Sequence, residues 1–113
     1  MIEKRLIPLV AARFKALSEP GRLLILSALH DGEHSVGELV EATGRGQPNV
    51  SQHLASLLRA GLVSSRREAN RVLYRLADPY LVRICGAVCE SVTKSAGEQG
   101  RRLRALARGG RRA

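Results

Sequence analysis

The chain has no tryptophan, one phenylalanine, two tyrosines and two cysteines in 113 residues. So few aromatics, Phe14, Tyr74 and Tyr80, leave no stacking platform of the kind that RNA-reading modules offer to unpaired bases. No run of eighteen apolar residues is present, and Met1-Ile2-Glu3-Lys4-Arg5 is not followed by an apolar signal segment. Membrane insertion and secretion are therefore not indicated, and a cytoplasmic protein is expected. Also missing are a phosphate-cradling glycine loop, paired carboxylates in a plausible pocket and any nucleophile, base and orienter arrangement, so an enzyme is the least supported class. Acids are scarce as well, ten against nineteen Lys and Arg, for a formal charge of +9.

That charge is unevenly spread. From Lys94 onward there are seven basic residues and one acid, Glu98, so most of the excess sits between Arg101 and Arg112. Gly97, Gly100 and Gly109-Gly110 interrupt this stretch, and residues 96–113 read as a solvated, flexible basic tail. Two other readings stay open: a nonspecific phosphate contact, and a short terminal helix with Arg102, Arg104 and Arg108 facing out from Leu103 and Leu106. Residues 1–95 are then one domain, since the chain is too short for two.

The densest information lies between Ser35 and Leu76. Ser35-Val36-Gly37-Glu38 has the form of a capping box, in which a hydroxyl and a carboxylate satisfy the N–H groups that a helix start leaves unpaired. A helix is predicted from Ser35 to near Thr43-Gly44. A second opens near Gly46-Gln47-Pro48, where proline suits the first turn, and ends at Gly61. Val50, Leu54, Leu57 and Leu58 recur at helical spacing on one stripe that must be buried. At about 100° per residue, Gln52, Ser56 and Arg59 point away from it, with Asn49 near them and Ser51 and His53 on its flanks. This outward face is rich in hydrogen-bonding groups and has no acid.

After Gly61, Leu62–Arg67 and Arg71–Leu76 flank the polar link Glu68-Ala69-Asn70 and predict a β-hairpin. Arg66, Arg67 and Arg71 gather near its tip, suited to a phosphate backbone. Helix, turn, helix and ribbon together outline a mainly α winged helix-turn-helix, which sets one helix in the major groove of DNA.

Around this head, Leu6, Val10, Phe14 and Leu17 predict a first helix starting near Pro8. A second starts near Pro20, capped by Ser18 or Glu19, and runs to Asp31-Gly32; apolar on nearly all sides, it is expected to be central. Asp78-Pro79 starts a last helix to about Ser95 with Leu81, Val82, Ile84, Cys85, Val88, Cys89 and Val92. Apolar stripes at both ends of a small domain make natural dimer surfaces. His30 and His34 flank the Asp31-Gly32 turn, where surface hydrogen bonding accounts for them.

The blocks Phe14 to Leu26, Gln47 to Leu54, Leu58 to Val63, and Arg66-Arg67-Glu68 through Tyr74-Arg75-Leu76 resemble the ArsR/SmtB family of bacterial winged-helix repressors over roughly residues 12–93. The resemblance implies a homodimer paired through its first and last helices, each subunit reading half of a near-palindromic double-stranded operator and releasing it when an effector binds. It implies too that Gln47, Asn49, Ser51, Gln52 and His53 begin the recognition helix. Two such helices must lie about 34–36 Å apart to enter successive major grooves. Arg45-Gly46 departs from the family pattern by removing the usual serine cap of this helix, and Ala69-Asn70 stands where glycine is common in the wing.

For the effector, Cys85 and Cys89 lie at i, i+4 on one helix face, up to four thiols around a two-fold axis. Thiolates bind As(III), Sb(III) and other thiophilic ions, and they are sites of oxidation. Two small packed side chains is the alternative, giving a regulator without a metal or thiol sensor. Where metal-sensing members often carry a Cys-x-Cys pair, this chain has Ser35 and Gly37. The last helix supplies only Asp78, read as a cap, and Glu90, so neither a zinc nor a nickel site is supported. A basic RNA-binding module is the remaining rival.

Overall fold

The computed structural model describes residues 1–112, with side chains through Arg108. The chain divides into two compact units, the first ending at Pro79 and the second beginning at Tyr80. In the first, a 3-10 turn (Lys4–Leu6) leads into α1 (Ile7–Leu17), α2 (Pro20–Leu29), β1 (His34–Ser35), α3 (Val36–Thr43), α4 (Gln47–Arg59), β2 (Val63–Glu68) and β3 (Arg71–Leu76). The second unit is α5 (Leu81–Arg112) with the residue preceding it.

The capping box is formed. Ser35 N–H donates to Glu38 Oε1 at 2.8 Å and Glu38 N–H donates to Ser35 Oγ at 3.2 Å, which fixes the start of α3. Gly44 closes that helix at φ +70°, a left-handed conformation open to glycine. Gly46 caps α4 in an extended conformation without a side-chain bond, as the missing serine predicts, and Pro48 occupies its first turn.

The core of the unit is aliphatic. Ile25, Leu26 and Leu29 of α2 meet Leu39 of α3 and Val50, Leu54 and Leu57 of α4, with Leu17, Leu62, Val63 and Leu73 closing the sides. No polar or charged residue is buried among the described residues.

Several expectations are corrected. Leu58 is exposed rather than buried, because at about 100° per residue it falls at the edge of the stripe that Val50, Leu54 and Leu57 define. In α2, Leu23 and Leu24 are exposed, since α3, α4 and β3 cover the side bearing Ile25, Leu26 and Leu29. Glu19 is the N-cap of α2 but makes no side-chain cap bond.

The hairpin is present with a shorter turn: Glu68 pairs with Arg71, leaving Ala69-Asn70 as a two-residue loop. Ala69 takes φ +53°, the region where two-residue hairpin turns favour glycine or asparagine. A third strand, β1, adds to β3 through His34 opposite Tyr74 and Ser35 opposite Leu73, giving the antiparallel order β1-β3-β2. Two residues carry no readable alternation, so this strand had no signal of its own.

The last helix starts at Leu81 and does not end near Ser95 but continues to Arg112. Each interior glycine disfavours helix by about 1 kcal/mol, yet helix propagation is cooperative and the neighbours are Arg, Leu, Ala, Glu and Gln, all good helix formers. Leu103 and Leu106 lie exposed on this extension.

Candidate nucleic-acid interface

The α3-turn-α4 arrangement is held by local bonds. Thr43 Oγ1 donates to the Leu39 carbonyl at 2.7 Å and accepts from Arg45 N–H at 3.4 Å, so the turn leaves α3 in a defined direction. With the apolar stripe of α4 facing α2 and α3, its polar side chains take the opposite side by helical period alone. Gln47, Ser51, Gln52 and Arg59 are exposed; Asn49, His53 and Ser56 are half-buried. Arg59 Nη2 donates to Ser56 Oγ at 3.2 Å, and Arg45 Nη1 donates to Asn49 Oδ1 at 3.5 Å. His53 turns toward α2, where its Nδ1 accepts from Arg22 Nε at 3.4 Å. The exposed polar groups thus lie mainly on the first two turns, with His53 drawn out of the set.

The wing arginines are not equivalent. Arg66 forms a two-pronged pair with Glu33, Nε to Oε2 at 2.7 Å and Nη2 to Oε1 at 2.9 Å, with Glu68 Oε2 at 3.6 Å. This pair holds the Glu33 carboxyl below the usual carboxylate range and raises Arg66 further. Arg71 Nη1 stands 3.7 Å from Glu38 Oε1, the carboxylate already used in the capping box. The Ser35 backbone and hydroxyl, more than Arg71 or His34, keep Glu38 below its ordinary value. Arg67 makes no side-chain hydrogen bond or ion pair among the described residues, and Arg75 Nε donates to Ser64 Oγ at 3.1 Å.

Glu33, Arg22, Gly21 and Arg45 escaped sequence reading. Their partners lie 31 to 33 residues away or across a turn, beyond any periodicity. His34 also differs from expectation: it lies in β1, and its enclosed Nδ1 has no hydrogen bond, with Glu38 Oε2 3.8 Å away. Asp78 is ion-paired with Arg13, a role that its position before α5 did not suggest.

On α5, Cys85 is half-buried and Cys89 exposed, one turn apart and unbridged. Among the described residues no three His, Cys, Asp or Glu side chains gather closely enough to hold a metal ion within one chain. No helix of the described residues is long and apolar enough to cross a membrane.

A helix pair whose second member, α4, has an acid-free outward face, followed by a two-stranded ribbon, defines a winged helix-turn-helix DNA-binding regulator. Residues 19–65 match the model of bacterial regulatory proteins of the arsR family. The chain is 40% identical over 79 residues to a biofilm growth-associated repressor of Xylella fastidiosa, spanning 70% of this chain and 69% of that protein. It superposes on the transcriptional repressor BigR from Xylella fastidiosa with a TM-score of 0.70 at 38% identity, covering 75% of this chain and 87% of that one. A homodimeric winged helix-turn-helix DNA-binding domain from Mycobacterium bovis, a possible ArsR-family regulator, matches at 0.69 and 34%, covering 83% and 90%. The chain belongs to the ArsR family of bacterial transcriptional regulators, which are DNA-binding proteins and not enzymes.

Proposed function

We propose that this protein is a homodimeric cytoplasmic repressor whose two α4 helices read the half-sites of a near-palindromic operator, and that ligation or oxidation of Cys85 and Cys89 releases the DNA. The observation that carries the first part is the exposed, acid-free face of α4, on which Gln47, Ser51 and Gln52 supply donors and acceptors suited to base edges. Asn49, Ser56 and Arg59 flank them. Arg67 is the wing cation best placed to meet phosphate, while Arg66 and Arg71 are already engaged by Glu33 and Glu38.

Dimer formation is supported by the apolar side chains that each unit leaves in water, Leu6, Ile7, Leu9 and Phe14 around α1 and Val82, Val88 and Val92 on α5. Sensing is supported by two thiols at i, i+4 on α5, one exposed, where a second subunit completes a set of four soft ligands. As(III), Sb(III), reactive sulfur and peroxide all suit this chemistry.

Fluorescence anisotropy tests both parts. A duplex from the promoter region of the chain's own gene is expected to bind far more tightly than single-stranded RNA of equal length at physiological salt; equal affinities defeat the repressor reading. The Cys85→Ser/Cys89→Ser variant is expected to stay on that duplex when As(III) or polysulfide is added. Release equal to that of the unmodified chain removes these cysteines as the sensor.

A further inference from the structure

Gly21 lies in the first turn of α2 and is buried. Alanine is ordinarily the better helix residue, so a glycine here has a steric reason. A methyl group at Gly21 would sit 2.6 Å from both Cδ2 and Nε2 of His53 and 3.2 Å from Arg45 Nη1. The imidazole occupies the space that a side chain would need. Its other nitrogen, Nδ1, accepts from Arg22 Nε at 3.4 Å, and Arg22 Nη1 donates to the Ala16 carbonyl at 3.2 Å. The Cδ2–Nε2 edge of the ring faces Gly21. Nδ1 is thus engaged by Arg22, and Nε2 lies against the Gly21 backbone. The Ala16 carbonyl is one of the last four of α1, which have no partner within their own helix and favour a cation. One guanidinium therefore spans the end of α1 and the side of α4.

We propose that His53 is a positioning residue rather than a base reader: seated on Gly21 and held by Arg22, its ring sets the angle at which α4 stands on the α1-α2 corner. The inference rests on the reading of α4 as the DNA-reading helix. Discrimination between bases then belongs to Gln47, Ser51 and Gln52. A displacement of the α1 C-terminus reaches α4 through Arg22, which ties α1 to the aim of the reading helix.

Five proteins test this: the unmodified chain, Gly21→Ala, His53→Ala, their combination, and His53→Asn, whose Oδ1 restores an acceptor near the place of Nδ1. In urea unfolding, Gly21→Ala is expected to lower the midpoint when His53 is present and to leave it unchanged or raise it in the His53→Ala background, where the methyl fills vacated space. An equal loss in both backgrounds overturns the lock, whether or not DNA is bound. On the duplex that the unmodified chain selects from a random-sequence pool, and on its single-base-pair variants, His53→Ala is expected to weaken binding about tenfold for all of them alike. Their ranking stays the same, and His53→Asn returns affinity to within about threefold of the starting value. A loss confined to one or two base pairs makes His53 a reader and overturns the inference. Failure of the unmodified chain to select any duplex instead defeats the DNA-reading assignment, and the unfolding cycle still judges the lock.

Discussion

Helices α4 and α5 are both amphipathic, yet they treat their apolar stripes in opposite ways. Val50, Leu54 and Leu57 of α4 are at most 1% exposed, enclosed by α2, α3 and β2. Val88, Val92, Leu103 and Leu106 of α5 are between 51% and 73% exposed. The wing repeats this contrast in charge, with Arg66 paired to Glu33 and Arg67 unpaired among the described residues. Groups satisfied within the chain hold the reading head together, and groups left unsatisfied are those that a partner can use.

Truncation separates the two kinds of stripe most sharply. Leu57→Ala removes a fully buried side chain and is expected to cost about 2–5 kcal/mol in urea or thermal unfolding. Val92→Asp is expected to leave secondary structure intact while weakening self-association by more than about tenfold, read by sedimentation velocity. A variant that stays dimeric shows that the α5 stripe is not the contact surface, and the contrast loses its functional meaning.

The charge contrast is tested by salt. Arg67→Ala is expected to reduce the slope of log K against log salt by about one, the loss of a single phosphate contact. Arg66→Ala should leave that slope unchanged, and the reverse pattern breaks the distinction. The smallest effect concerns acid. Glu33 and Glu38 are held below their ordinary values in the folded chain, so their support of the wing is complete above the usual glutamate range and fades as pH falls through the lowered values. Amide chemical shifts of β2 and β3 are expected to stay constant from neutral pH down to that range and to move below it. Glu33→Gln should show part of that movement already at neutral pH.

Much of the fold was legible because its signals are local. Ser35 and Glu38 form a reciprocal pair three residues apart, Gly44 and Gly61 mark helix ends, and the spacing of Val50, Leu54 and Leu57 sets a buried stripe by geometry alone. The same period placed Gln52 and Arg59 on the outside. It could not show that Leu23 and Leu24 would stay exposed, because that depends on how much of α2 its neighbours cover. Nor did composition foresee the length of α5, where four glycines read as breaks and cooperative propagation prevailed.

The sequence by itself determined where helices begin and end, which side of α4 is polar, and that a hairpin follows it, since each of these depends on residues within a few positions of one another. Only the tertiary structure decided which polar groups remain free. Arg66 meets Glu33 across 33 residues and His53 meets Arg22 across 31, contacts that exist only once the chain has folded back on itself. Periodicity assigns a side chain to a face, whereas its availability depends on what the rest of the chain brings against that face.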